Sequence, residues 1–279
     1  MEEVMCGFFR RLCFSAVLSG TMMLASSLFA YPDGLDIVNP IRDSGSDARA
    51  AAYNAFYTST VQPYIDANSS GTEFNPPAST VSPPSTLIVD PSNLEVMTRS
   101  DARIYFIDSS AGYRNSFGWD PNHDFTLSSG EKAIVFPNAH TLASSSNPGD
   151  ADAPYAGLTP GDFVELPQLE AGSFLDFFLL ANGANGTSYD TWWNDSAYNS
   201  DSNAHVKTVH FDGTPYYLMG WEDLPNLGDA DFSDVFVVVE LVPVPEPSTY
   251  LILASLLVFV IFAKRRKSAF VKIKRLDTD

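Results

Sequence analysis

Cysteine is scarce in this chain of 279 residues, and its only two copies, Cys6 and Cys13, stand close to the N-terminus. Everything downstream can form neither a disulfide nor a thiolate metal site. Histidine is almost as rare, at four (His123, His140, His205 and His210), and no pair sits one helical turn apart around a glutamate. That excludes the metalloprotease helix and leaves the four as ordinary loop or strand residues. There is no Gly-x-Ser-x-Gly elbow and no Ser/His/Asp set that stands out, so nucleophilic hydrolysis has no signature here. Positive charge is also short: Lys and Arg total 16 against 34 for Asp and Glu. Residues 1–30 contribute 0 and residues 248–279 contribute +5 to the net charge of -18, which leaves -23 for residues 31–247. Such a polyanion repels nucleic acid and anionic lipid and attracts cations, Ca²⁺ above all outside the cytoplasm. Simple solubility through like charge is the other reading.

The apolar runs lie at the two ends. Arg10 and Arg11 precede an apolar stretch, Leu12 to Leu28, that closes in small residues up to Ala30. This is the layout of a secretory signal peptide over residues 1–30, with cleavage after Ala30 or after Ser27. At the other end Pro245, Glu246, Pro247, Ser248 and Thr249 precede the apolar run 250–263 and the basic cluster Lys264, Arg265, Arg266 and Lys267. Fourteen residues at 1.5 Å each reach roughly 21 Å, a marginal span of the ~30 Å hydrocarbon core. The basic cluster belongs on the cytoplasmic side, with the tail 268–279, so the body lies outside. This order of motif, apolar run and basic cluster resembles the PEP-CTERM sorting signal. The resemblance implies an exosortase-type membrane sorting enzyme as partner after the general secretion machinery. It further implies a transient stay of this transmembrane helix in the inner membrane, then the cell surface or the extracellular matrix. The twelve residues after the basic cluster are more than that family usually carries.

Hydrophobic residues make up 45% of the chain, enough for a real core. Asp47 to Tyr57 places Tyr53, Phe56 and Tyr57 on one helix face, predicting one short helix within an N-terminal extension, residues 31–70. Residues 71–92 hold Pro76, Pro77, Pro83, Pro84 and Pro91 among Ser and Thr, the composition of an extended linker. Beyond it, residues 93–242 show apolar runs of strand length between turn residues: 103–107, 133–136, 163–166, 174–180, 205–211, 216–221 and 235–242. No helix-length period interrupts them. The expected fold class is all-β, an antiparallel β-sandwich or jelly roll.

Ahead of the last run, Glu222, Asp223, Asp229, Asp231 and Asp234 crowd into one loop. Crowded carboxylates raise one another's pKa unless a cation or hydrogen-bond donors neutralise them, and Ca²⁺ is the hard cation that accepts several such oxygens. An EF-hand is rejected, because Asp234 stands where its turn glycine belongs and a strand follows. Two readings remain, a Ca²⁺ loop and a set of Asx turns and caps. Gly220 to Val238 resembles the closing motif of a domain of unknown function found in exported, calcium-associated bacterial proteins. The stretches 111–119 and 166–186, with His205-Val206, extend that resemblance over about residues 100–241. Trp221 replaces a usual phenylalanine and Ser233 a usual asparagine; the resemblance implies no reaction.

The function expected is that of a non-enzymatic surface or matrix component. Its body would bind Ca²⁺ and, through stacking faces on Trp192, Trp193 and Tyr189, exopolysaccharide or another glycan. Core packing is the competing use of these aromatics. The alternatives are a secreted polysaccharide-active hydrolase, built on a carboxylate pair, and a passive structural matrix protein.

Overall fold

A computed structural model describes residues 34–70, 73–77, 85–141, 157–185, 190–245, 251–262 and 264. The chain divides into Met1–Ala30, which lies outside the described residues with its expected signal peptide, and Tyr31–Asp279, which holds every element below.

Asp47 opens the first helix, α1 (Ala48–Phe56), by accepting the amide of Ala50 at 2.8 Å, as an N-cap carboxylate does. A single π turn over Tyr57–Val61, where β-branched residues gather, carries it into α2 (Gln62–Asn68). A two-residue ribbon follows, β2 (Ser69–Ser70) with β3 (Glu73–Phe74). The rest is β-rich. One sheet orders β1 (Asp36–Ile37), β7 (Lys132–Phe136), β6 (Ser116–Asp120), β9 (Asp176–Leu180) and β10 (Thr191–Trp193), antiparallel except for the β1–β7 pair. The larger sheet is antiparallel throughout. It orders β4 (Thr86–Val89), β11 (Val206–Phe211), β12 (Tyr216–Trp221), β13 (Val235–Pro243), β5 (Ser100–Asp108) and β8 (Phe163–Glu165).

Three clusters bury these elements. The first draws on both sheets, with Phe106 beside Phe136 at 6.1 Å and Phe117 edge-on to Trp221 at 5.6 Å. The second lies on the opposite face of the larger sheet, where Tyr53 of α1 stacks on Tyr105 at 3.7 Å and Phe56 on Tyr216 at 4.5 Å. Arg103 ties the helix cap down, donating to both carboxylate oxygens of Asp47 at 3.0 and 2.8 Å while lying 4.5 Å over the Phe163 ring. The third cluster backs the smaller sheet with Ile134, Phe178, Leu180 and Trp193 under Leu35 and Phe125. β5 and β13 are therefore buried on both faces, which explains their unbroken apolar runs.

Two corrections follow. The supposed linker 71–92 contains a strand, because Leu87, Ile88 and Val89 pair with β11. The extension 31–70 is likewise no separate piece: its helices cover a sheet face too apolar to leave in water, so residues 71–92 do not part it from the β-rich body. At the C-terminus residues 251–262 are helical and exposed. Twelve residues reach only ~18 Å, and among the described residues no helix is long and apolar enough to cross a membrane. The transmembrane helix expected over 250–263 is thus not found among them.

Tyr53 also yields a test of the helix–sheet contact. Its hydroxyl is buried with no hydrogen-bond partner among the described residues. Tyr53→Ala should lose about 3–5 kcal/mol of ring burial, whereas Tyr53→Phe should stabilise by about 1 kcal/mol because it removes an unpaired polar group. Urea midpoints read both, and equal losses would contradict the packing described.

Candidate functional site

The β12–β13 hairpin ends its ladder at the pair Trp221 and Val235, which leaves residues 222–234 to cross between the strands. Gly220 makes that crossing feasible, since a Cβ there would sit 2.6 Å from the carbonyl oxygen of Phe232. The loop is backbone-strained. Asn226, Leu227, Ala230 and Phe232 all hold φ between 53° and 64°, a left-handed state that costs ~1–2 kcal/mol for a residue with a Cβ. Such a path persists only where its surroundings fix it. Here the amide of Phe74 donates to Asp231 O at 2.6 Å, the hydroxyl of Ser110 to Ser233 O at 2.9 Å, and the amide of Asn226 to Asp201 Oδ2 at 2.7 Å.

The carboxylates are drawn inward. Glu222 is fully buried, Asp223, Asp231 and Asp234 are buried, and Asp229 is exposed. Oxygens of Glu222, Asp223 and Asp234 lie within 4.8 Å of one another, as do those of Glu222, Asp229 and Asp231. Glu222 thus belongs to both sets. The donors that reach them are amides: Leu224 N to Glu222 Oε1 at 3.1 Å, Asp231 N to Glu222 Oε2 at 3.2 Å, Ser233 N to Asp231 Oδ1 and Asp223 N to Asp234 Oδ2, both at 2.8 Å. Asn115 Nδ2 donates to Asp223 Oδ2 at 2.6 Å. Among the described residues no Lys or Arg pairs with any of the five, and Lys207, close to the loop, spends its ammonium on Phe74 O and the Phe232 ring.

Electrostatics follow from that burial. Desolvation pushes the Glu222 carboxyl up to about 7, partly offset by the Leu224 amide and reinforced by the charges of Asp229, Asp231 and Asp223. Desolvation and then the Asp223 charge push Asp234 up to about 9. Asp223 is raised as well, again chiefly by burial. Two oxygens bound to one Ca²⁺ at 2.3–2.6 Å can stand at most roughly 5 Å apart. Both sets meet this limit, and hard oxygen donors without a basic partner are the donor chemistry that Ca²⁺ takes.

Sequence places these five carboxylates in one loop, where the structure arranges them as two sets that share Glu222. It missed the supports. Asn115 precedes β6, and His205 is fully buried, its Nδ1–H donating to Glu222 O at 3.0 Å and its ring stacked 3.8 Å from Trp192. Trp192 in turn donates from Nε1 to Asp223 O at 2.9 Å. This overturns the stacking role read for the tryptophans: Trp192 and Trp193 are 0% and 5% exposed and offer no face to a sugar. Tyr189 lies outside the described residues, as do Glu246, Pro247, Ser248, Thr249, Arg265, Arg266 and Lys267; Pro245 and Lys264 are exposed.

Compared with known families, residues 243–267 match the PEP-CTERM protein-sorting motif, and residues 169–242 match a domain of unknown function, DUF4114. The second match starts well inside the stretch 100–241 and takes in the acidic loop. No curated protein and no solved structure matches the chain. A PEP-CTERM motif therefore follows directly on a DUF4114 domain, and it marks an exported protein processed by an exosortase, consistent with a cell-surface or extracellular location.

Proposed function

We propose that the body of this exported chain is a non-catalytic, calcium-dependent structural module of the cell surface or matrix. Its two sheets face each other as a sandwich, a reading supported by the cluster to which both contribute. Its β12–β13 loop closes on Ca²⁺ held by Glu222, Asp223 and Asp234, with Asp229 and Asp231 on the outer side of Glu222. One observation carries this reading: buried carboxylates converge within 4.8 Å with no basic side chain paired to them among the described residues. Burying ionised carboxylates without a counter-charge is costly, and a divalent ion removes that cost. Extracellular modules bind Ca²⁺ at dissociation constants of roughly 10⁻⁴–10⁻³ M, so the loop would fill after export. Exopolysaccharide contact through Trp192 and Trp193 drops out of the reading, because both are buried.

Calorimetric titration of the chelator-treated full chain with Ca²⁺ tests it. Saturable binding is expected, weakened at least tenfold by Glu222→Gln and by Asp229→Asn, the second at an exposed position that folding tolerates. No saturable heat up to about 10 mM, well above the weakest modules, would refute the cation site and leave amide-capped, protonated carboxyls in its place.

A further inference from the structure

The opposite end of β6 carries a second constellation. Asn115, which serves the acidic loop, precedes this strand, whereas Trp119 and Asp120 close it, roughly 15 Å away at 3.4 Å per residue. Asp120 pairs in register with Asp176 of β9, and both are buried. Asp120 organises the following turn by accepting the amides of Asn122, Asp124 and Phe125 at 2.8–3.1 Å. That turn holds His123 in a left-handed backbone, φ 55°, and sets its Nδ1 2.6 Å from Asp176 Oδ2. The carboxylate thereby fixes the ring, and Nε2 has no partner among the described residues. Phe174, 36% exposed, stacks flat on the imidazole at 4.3 Å and 13°.

These groups border a cleft of about 320 Å³ walled by Trp119, His123, Leu169, Glu170, Ser173 and Phe174. Small-ligand sites run from roughly 300 to 1,000 Å³. Trp119 is 6% exposed, and its indole N–H is buried with no acceptor among the described residues. A buried donor left unpaired costs about 1–3 kcal/mol, and an acceptor brought by a ligand would recover it. The cleft thus combines a partly open aromatic face, a fixed imidazole and, at its rim, the mostly exposed Glu170 carboxylate paired with Arg99 at 3.3 Å, with the buried N–H of Trp119 in its wall.

We propose that this cleft binds a neutral sugar unit of a polysaccharide, independently of the cation loop at the other end of the strand. The apolar face of a pyranose would lie on Phe174, its hydroxyls would pair with His123 Nε2 and Glu170, and a small rotation of Trp119 would bring its N–H to a ring or hydroxyl oxygen. Neutrality follows from the surroundings: the basic groups nearest the cleft are already engaged, Arg99 with Glu170 at 3.3 Å and His123 with Asp176 at 2.6 Å, and residues 31–247 carry -23, which repels uronate or sulfate groups.

The test exploits the four tryptophans, which give separate indole ¹H–¹⁵N resonances. The full chain is titrated with cellohexaose, laminarihexaose and mannohexaose, and with an oligogalacturonate as the anionic comparison. At least one neutral hexamer should shift the Trp119 resonance saturably while leaving Trp221, beside the acidic loop, in place, and the oligogalacturonate should not. Phe174→Ala should weaken binding at least tenfold. Should that variant fail to fold, Glu170→Ala at the exposed rim should weaken it about threefold with unchanged indole positions in the free protein. Absence of a saturable Trp119 shift with all three neutral hexamers, preference for the anionic chain, or unaltered affinity in the folded variants would each overturn the assignment.

Discussion

Chelator-treated protein brought to about 10 mM Ca²⁺ at pH 8 should melt about 3–10 °C higher than in chelator. The size follows from linkage: an ion at about ten to a hundred times its dissociation constant adds ~1.4–2.7 kcal/mol, and each kcal/mol moves a domain of this size by ~2–4 °C. The pH dependence gives the prediction its sign. In the ion-free fold Glu222 stands at about 7 and Asp234 at about 9, above the ordinary values of 4.5 and 3.8. Between roughly pH 4 and pH 9 the native state therefore holds protons that the unfolded chain has released, and ion-free stability falls as pH rises. Calcium reverses that fall by replacing the protons. Its increment should be largest at pH 8–9 and shrink to less than half at pH 5. Differential scanning calorimetry at both pH values reads it, and an increment larger at pH 5 would contradict the site.

Asp234→Asn should separate stability from ion binding with opposite signs. The amide keeps an oxygen for the Asp223 amide, which reaches Asp234 Oδ2 at 2.8 Å, and removes the buried group that most resists ionisation. At pH 8 without calcium the variant should be more stable than the parent, by about 1–3 kcal/mol, because the parent fold must keep Asp234 protonated where its unfolded chain releases that proton. With calcium it should be the weaker protein, since one of the three converging carboxylates, those of Glu222, Asp223 and Asp234, no longer carries charge. Paired urea titrations with and without the ion decide this. A variant that loses stability in both conditions would assign Asp234 to hydrogen bonding alone.

The strands that sequence could read are those whose apolar runs reflect burial on both faces, such as β13 from Val235 and β5 around Arg103 to Ile107. β6 escaped because it is written Ser-Phe-Gly-Trp-Asp. Its Gly118 looks like a turn, yet it is required because any Cβ would fall within the Phe178 ring. β4 was hidden by the prolines around it, although Thr-Leu-Ile-Val is an ordinary strand run. The acidic loop was legible as composition, but its burial was not. That depends on Asn115, His205 and Trp192, brought from three distant segments. Trp192 and Trp193 misled for a related reason. Adjacent residues of a strand point to opposite faces, so one of them should meet water, but the smaller sheet is covered on its far side by Leu35 and Phe125 and both are enclosed.

The strand that leads into the sorting motif is not an edge. β13 lies between β12 and β5, pairs with β5 as far as Pro243 opposite Ser100, and is followed by Val244 donating to Arg99 O at 2.8 Å. A pull delivered through Pro245 would therefore run along the axis of an interior strand, with hydrogen-bonded neighbours on both flanks loaded in shear. Ladders strained this way must break many bonds together, whereas a peeled edge gives way one bond at a time. The body is thus mechanically well seated at the very point where the secretory and surface machinery would grip it.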